Sequence, residues 1–228
     1  MSLKAELDAF RSEFMAQLPP EIRDAMVHAD MELAASGIAQ RALKTGDRAP
    51  DFRLPDARGG YVRLKDLLAA GAVVLCFYRG GWCPYCNLEL RALQQVLPEI
   101  TRLGAKLVAV SPQTPDESLS TTEKNALSFS VLSDIGSTAA KSFGIAYDLA
   151  EELRSLYARS DDALPEKNGD KSWVLPIPAT YVIDADGTVA LSFVDVDYRN
   201  RLEPAEILTA LQSLSKQQRG EDHANASR

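Results

Sequence analysis

Between Ala72 and Tyr78 the chain reads Ala-Val-Val-Leu-Cys-Phe-Tyr, with no charged residue to interrupt it. A run this long and this apolar fits a strand covered on both faces, and it is far short of the roughly 20 residues a membrane span needs. It ends at Gly80-Gly81, after which Leu90, Leu93, Val96, Leu97 and Ile100 recur at helical spacing, and Lys106–Ser111 reads as a second buried strand. A polar helical stretch near 115–126, a strand around 129–132 and a helix near 137–143 closing at Gly144 continue the alternation. Strands interleaved with helices predict a layered α/β domain with a largely parallel centre.

The flanking segments follow other periods. Asp51–Leu54 and Tyr61–Leu64 alternate around a Pro- and Gly-containing turn, which predicts a hairpin of half-exposed strands. A second hairpin is predicted from Ala179–Asp184 and Thr188–Phe193 across the turn Ala185-Asp186-Gly187. A last helix opens near Pro204 with Ile207, Leu208, Leu211 and Leu214 inward. Residues 146–176, including Asp161-Asp162, predict an inserted excursion that is helical at first and then loop. The expected organisation is a helical extension over 1–45, the α/β domain over 46–214 and a polar flexible tail over 215–228.

In the extension, Leu3, Leu7, Phe10, Phe14 and Leu18 form one stripe, Pro19-Pro20 punctuates, and Ile22, Met26, Ala29 and Leu33 form a second stripe before Gly37. Two such stripes need cover, either from the domain or from a second copy in a homodimer. The site is expected to survive removal of residues 1–40.

Twenty-five Lys and Arg against 32 Asp and Glu give a net charge of -7, which disfavours nucleic acid and anionic membranes as partners. The acidic, weakly apolar start is unlike a secretory signal, so the expectation is a cytoplasmic protein. Three cysteines do not make a disulfide scaffold. Nor do they make a metal centre: zinc wants about four ligands, there is no second Cys pair, and His28 and His223 stand far from the first. Neither a metal nor a cofactor is expected.

Two of the cysteines carry the chemical signal, in the run Arg79-Gly80-Gly81-Trp82-Cys83-Pro84-Tyr85-Cys86 between the buried strand and the long helix. Cys83 falls near the helix N-cap and Cys86 one turn inside. Free N–H groups and the macrodipole at that end favour a thiolate, lowering a thiol from its usual value of about 8.5. Pro84 suits the first helical position, and Arg79 adds positive charge. The bland reading, two small core residues, asks for no such loop, so redox chemistry is the expectation. Cys76, inside the strand, should be inert. Trp82 and Tyr85 either pack or touch a substrate or partner.

These residues resemble the peroxiredoxin-like proteins of the thioredoxin-fold superfamily, the branch of alkyl hydroperoxide reductase and thiol-specific antioxidant. The likeness runs from about Ala49 to Phe193 and is carried by Ala49-Pro50-Asp51-Phe52, Phe77-Tyr78, Val110-Ser111-Pro112, Leu132-Ser133-Asp134, Phe143-Gly144-Ile145 and Thr180–Asp184 ahead of Gly187. It implies a thioredoxin-like fold, a central mixed β-sheet flanked by helices, and reduction of hydroperoxides with thioredoxin or a similar thiol as electron donor. In the family register Arg79 replaces a Pro and Cys83 a Thr, Cys86 takes the peroxidatic position, and Glu89 matches an acid three residues on. Pro178 stands where a second-site Arg is expected. Loss of the Thr and the Arg implies slow peroxide turnover. Pro178-Ala179-Thr180 also resembles the cis-proline element of thioredoxins, which points to the alternatives of a protein disulfide reductase or a redox sensor. Which cysteine attacks first stays open: exposure at the helix end favours Cys83, the family register Cys86.

Overall fold

The computed structural model describes residues 2–158 and 163–226; Asp161-Asp162 of the insertion lies outside these. The extension forms α1 (Leu3–Gln17), whose N-cap Ser2 accepts a hydrogen bond from the Ala5 amide, then α2 (Pro20–Ala35) and, past Gly37 with its φ of 73°, the short α3 (Ile38–Arg41). The first hairpin is β1 (Arg53–Pro55) with β2 (Tyr61–Arg63), followed by α4 (Leu64–Leu68). Next come β3 (Val73–Phe77), α5 (Pro84–Arg102), β4 (Lys106–Ser111), α6 (Pro115–Lys124), β5 (Ser130–Ser133) and α7 (Thr138–Ser142). The insertion contains β6 (Ala146–Asp148), α8 (Glu151–Ala158), α9 (Leu164–Asn168) and β7 (Val174–Pro176); the chain ends with β8 (Ala179–Ile183), β9 (Val189–Val194) and α10 (Pro204–Ala226).

Five strands form the central sheet in the order β5-β4-β3-β8-β9. β3 and β5 run parallel to β4, while β8 is antiparallel to both β3 and β9, so the sheet is mixed rather than largely parallel. The hairpin β8–β9 causes this, because a tight turn can join only antiparallel neighbours. Successive side chains of β3 point to opposite faces. Val74, Cys76 and Tyr78 pack beneath Leu90 and Leu93 of α5, Ile207 and Leu211 of α10, and Leu3 and Leu7 of α1. Val73, Leu75 and Phe77 pack against Phe52, Phe143, Ile38 and Ala42 on the other face. Every β3 side chain is therefore buried, as its uninterrupted apolar run requires.

One open alternative closes and two expectations change. The stripe of α1 is covered by α5 of its own chain, so the extension needs no second subunit to be buried. The insertion is not loop in its second half: β6 and β7 pair antiparallel from Ala146↔Pro176 to Asp148↔Val174 and close its base. Pro178 is not a cis-proline, since no peptide bond among the described residues is cis. The chain passes extended from β7 into β8, with the Ile177 amide donating to the Ile145 carbonyl at 2.8 Å, a path that requires no reversal and leaves the trans form its usual advantage of about 0.5–1 kcal/mol. The backbone of α10 also continues helical beyond Leu214, consistent with a stretch that contains no proline.

Candidate active site

The loop from β3 to α5 is held tightly. The Gly81 amide donates to Gln113 Oε1 at 2.7 Å, and Asn87 Nδ2 donates to the carbonyls of Gly81 and Cys83 at 2.8 and 3.1 Å. A Cβ at Gly80 would lie 2.3 Å from Trp82 Nε1, and one at Gly81 would lie 2.1 Å from Thr121 Oγ1, so close approach demands both glycines. Cys83 is the extended N-cap of α5 and Pro84 its first residue. Both sulfurs are buried and reduced, as is Cys76, whose thiol burial pushes well up.

The two cysteines of the pair are electrostatically unlike. Burial drives the Cys83 thiol up, but hydrogen bonding from Cys86 and the charges of Arg79 and Arg201 outweigh it and bring Cys83 down to about 6. Burial raises Cys86 well above the ordinary range, and its hydrogen bond to the Cys83 sulfur raises it further. The pair thus holds one proton and one negative charge, with the charge on Cys83. Alkylation of Cys83 by iodoacetamide should accelerate with a midpoint near pH 6 instead of about 8.5, and Arg79→Met should move that midpoint upward. A rate profile against pH checks this; an unshifted midpoint in the unmodified protein would remove the argument for a resting thiolate.

Arg79, expected to lend positive charge, is buried beneath this sulfur. Its Nη2 donates to the Tyr157 hydroxyl at 3.2 Å, and its guanidinium lies 4.2 Å from the Tyr198 ring and 4.9 Å from that of Trp82. A cavity of about 260 Å³ opens over Cys83, Arg79 and Pro84. Its walls are Trp82 and Tyr85 beside the pair, Phe14 and Met26 from the extension, Leu156 and Tyr157 from α8, and Tyr198. Phe10 meets the Tyr85 ring edge-on at 5.1 Å. The extension is therefore part of the site's wall, which argues against the expectation that the site would survive without it.

Glu89 lies on the inner side of the pair, fully buried, and receives a hydrogen bond from Arg201 Nε at 2.5 Å. Arg201 Nη2 donates to Cys86 Sγ at 3.3 Å, while its Nη1 donates to the carbonyls of Tyr198 and Asn200. Thr180 Oγ1 donates to Glu89 Oε1 at 3.4 Å. Burial pushes the Glu89 carboxyl up to about 7 against the pull of Arg201. An arginine thus contacts the pair after all, arriving from the segment between β9 and α10. Pro178, where the resemblance locates the missing arginine, is buried immediately before β8 and is not among the cavity's walls. Sequence reasoning missed Arg201, Tyr157 and Tyr198, since they come from irregular or inserted segments with no local pattern.

A mixed five-stranded sheet with a cysteine pair at the head of the helix that follows its central strand defines a peroxiredoxin-like protein of the thioredoxin fold. The chain belongs to the AhpC/TSA family, which matches residues 45–192. It is 27% identical over 158 residues to peroxiredoxin Bcp of Escherichia coli K12, covering 69% of this chain and 90% of that protein. The crystal structure of peroxidoxin BcpB from Mycobacterium tuberculosis superposes with a TM-score of 0.60 at 26% identity, covering 75% of this chain and 98% of that one. The reduced 2-Cys peroxiredoxin of Plasmodium vivax, at 18% identity, a TM-score of 0.60, and covering 78% of this chain and 99% of that one, shares the fold.

Proposed function

We propose that the protein reduces hydroperoxides through Cys83 and Cys86, with Cys83 as the first nucleophile. The observation that carries this is the placement of Cys83 in the cavity wall beside Arg79, whose charge helps draw its thiol down to about 6, with Cys86, pushed up by burial, one turn inside. The Cys83 thiolate attacks the outer peroxide oxygen and breaks the O–O bond, giving a sulfenic acid and an alkoxide that takes up a proton as the alcohol. The Cys86 sulfur then displaces hydroxide from Cys83 to form the disulfide, its proton leaving with that hydroxide as water. A dithiol donor of the thioredoxin type returns two electrons and two protons, which suits a reducing, cytoplasm-like compartment. Trp82 and Tyr85 are the substrate-contacting walls, Glu89 positions Arg201, and the chain works without metal or cofactor. The cycle does not require a homodimer. Among the described residues, no helix is long and apolar enough to cross a membrane.

Arg201 also changes the expected rate. The sequence register lacks two polar contacts; Arg201 returns a positive charge to the pair through Cys86 without lining the cavity over Cys83, and the threonine hydroxyl is still missing. Turnover should accordingly exceed that of a site lacking both. In Cys86→Ser, one equivalent of peroxide should leave a sulfenic acid on Cys83 that a dimedone probe labels, whereas Cys83→Ser should label at least a hundredfold more slowly. Mass mapping reads the outcome. The reverse pattern would assign the attack to Cys86, and no labelling of either variant, together with rapid exchange with a protein disulfide, would replace peroxidase activity by disulfide reduction.

A further inference from the structure

We propose that Arg79 is an anion site which takes the carboxylate of a small, apolar-bodied molecule once Cys83 has lost its negative charge. Arg79 is only 3% exposed, and among the described residues no carboxylate pairs with it. The neighbouring buried cations are already balanced: Arg201 by Glu89, and Arg199 by Asp30 and Asp197. In the cavity over the pair the anionic group beside Arg79 is the Cys83 sulfur; the Tyr157 and Tyr147 hydroxyls also face its charge, and Asp30 acts on it from the neighbouring cavity. A buried guanidinium tolerates desolvation when it is paired and resists it when it is not. Three aromatic rings around Arg79 supply quadrupole attraction but no countercharge.

The inference rests on the redox cycle proposed above. Forming the disulfide consumes the thiolate, the thiol, one hydroperoxide and one solvent proton and yields the disulfide, an alcohol and water. The thiolate's charge leaves the site on the alkoxide that this proton neutralises, and Arg79 is left with the more distant Asp30 as its only carboxylate neighbour among the described residues. An anion entering the cavity then restores neutrality. Arg79 Nε, Trp82 Nε1 and the Tyr85 hydroxyl are buried without hydrogen-bond partners, and all three residues line the cavity over Cys83, with Trp82 Nε1 packed against Gly80. The remaining walls are apolar or aromatic, which selects a ligand whose body is a short alkyl chain or an aryl ring. The larger cavity of about 380 Å³ that Arg79 also lines carries Asp30, Glu32 and Asp148 against Arg41, an acidic surplus that disfavours a carboxylate, so the occupant lies on the Cys83 side. By linkage, an anion that prefers the oxidised protein also makes it harder to reduce.

Calorimetric titration of the full chain with 4-phenylbutanoate and with its methyl ester tests this. The disulfide form should bind the carboxylate at least tenfold more tightly than the reduced form does, and the ester should show no such difference. Cys83→Ala removes the charge without any oxidation and should bind the carboxylate as the disulfide form does; adding Arg79→Met should abolish that gain. Equal affinity of the carboxylate for the reduced form, the disulfide form and Cys83→Ala would overturn the proposal, as would equal binding of acid and ester by the latter two. Because the ester comparison uses the unmodified side chain of Arg79, a poorly folding Arg79→Met does not blunt the test. If no disulfide forms, the peroxidase reading fails, and the Cys83→Ala titration alone still decides the anion site.

Discussion

Replacing Arg201 with Met should destabilise the protein by about 3–5 kcal/mol near neutral pH and lower peroxide turnover at least a hundredfold. The side chains of Arg201 and Glu89 are 1% and 2% exposed, so the substitution strands a carboxylate and the Cys86 sulfur with no access to water. Against a typical total of about 5–15 kcal/mol, this is a large share. The loss should depend on pH. Burial holds Glu89 up to about 7 when folded, against an ordinary value of 4.5, so the folded protein binds this proton more tightly than the unfolded chain. Its contribution to stability is complete below about pH 4.5 and is lost as pH rises through 7. Removing Arg201 takes away the one charge that favours the carboxylate, which steepens the decline. Urea unfolding at pH 5 and pH 8 should show the variant close to the unmodified protein in acid and far below it in base, and Glu89→Gln should flatten the profile. Arg201→Met combined with Glu89→Leu should recover stability without recovering turnover. A single variant that keeps its stability at pH 8 and its turnover would mean the arginine neither supports the fold nor serves the cysteines.

The contrast between Cys83 and Arg201 shows where sequence information ends. The pair is local: an apolar strand, two glycines, a proline and a helical stripe occur in order over thirty residues, and each step constrains the next. β3 and α5 could be read from that pattern because burial on both faces of a strand and on one face of a helix leaves direct periodicities. Arg201 is more than a hundred residues away in an irregular segment, and nothing around it distinguishes it from Arg199, which instead binds Asp30 and Asp197. The resemblance pointed to an arginine position and found Pro178 there; the folded chain supplies the charge from elsewhere. Likewise, spacing alone left the first nucleophile open, because the difference between Cys83 and Cys86 comes from what surrounds them. Arg79 and the cavity lie on one side, and Arg201 with Glu89 on the other. The insertion was legible as a departure from the α/β alternation but not as a cavity wall, since Tyr157 reaches Arg79 from α8, a segment framed by the paired strands β6 and β7 that no local pattern announces.

Deleting residues 1–40 should abolish both cooperative folding and a reactive Cys83. Leu3 and Leu7, each 4% exposed, belong to the same core as Cys83, Cys86 and Leu90, and Ile38 lies in the core on the other face of the sheet. Met26 anchors the third cluster, against Leu149, Leu153 and Leu175 of the insertion. Full burial of a large apolar side chain contributes about 1.5–3 kcal/mol, so these four alone represent roughly 6–12 kcal/mol, comparable with the stability of a whole domain. The truncated chain should therefore bind a hydrophobic dye and lose its sharp melting transition, and its cysteines should alkylate with an ordinary thiol profile. A subtler pair of substitutions separates fold from site. Phe14 is partly buried against the third cluster and lines the cavity, so Phe14→Ala should cost only about 1–3 kcal/mol while opening the wall to water. Water admitted beside Cys83 competes for Arg79 and weakens the field that holds the thiolate, so the alkylation midpoint should rise while the melt stays cooperative. Leu18→Ala, in the same cluster but away from the cavity, should lower the melting temperature and leave the midpoint where it is. If both variants shift only the melt, the extension supports the fold and takes no part in the chemistry.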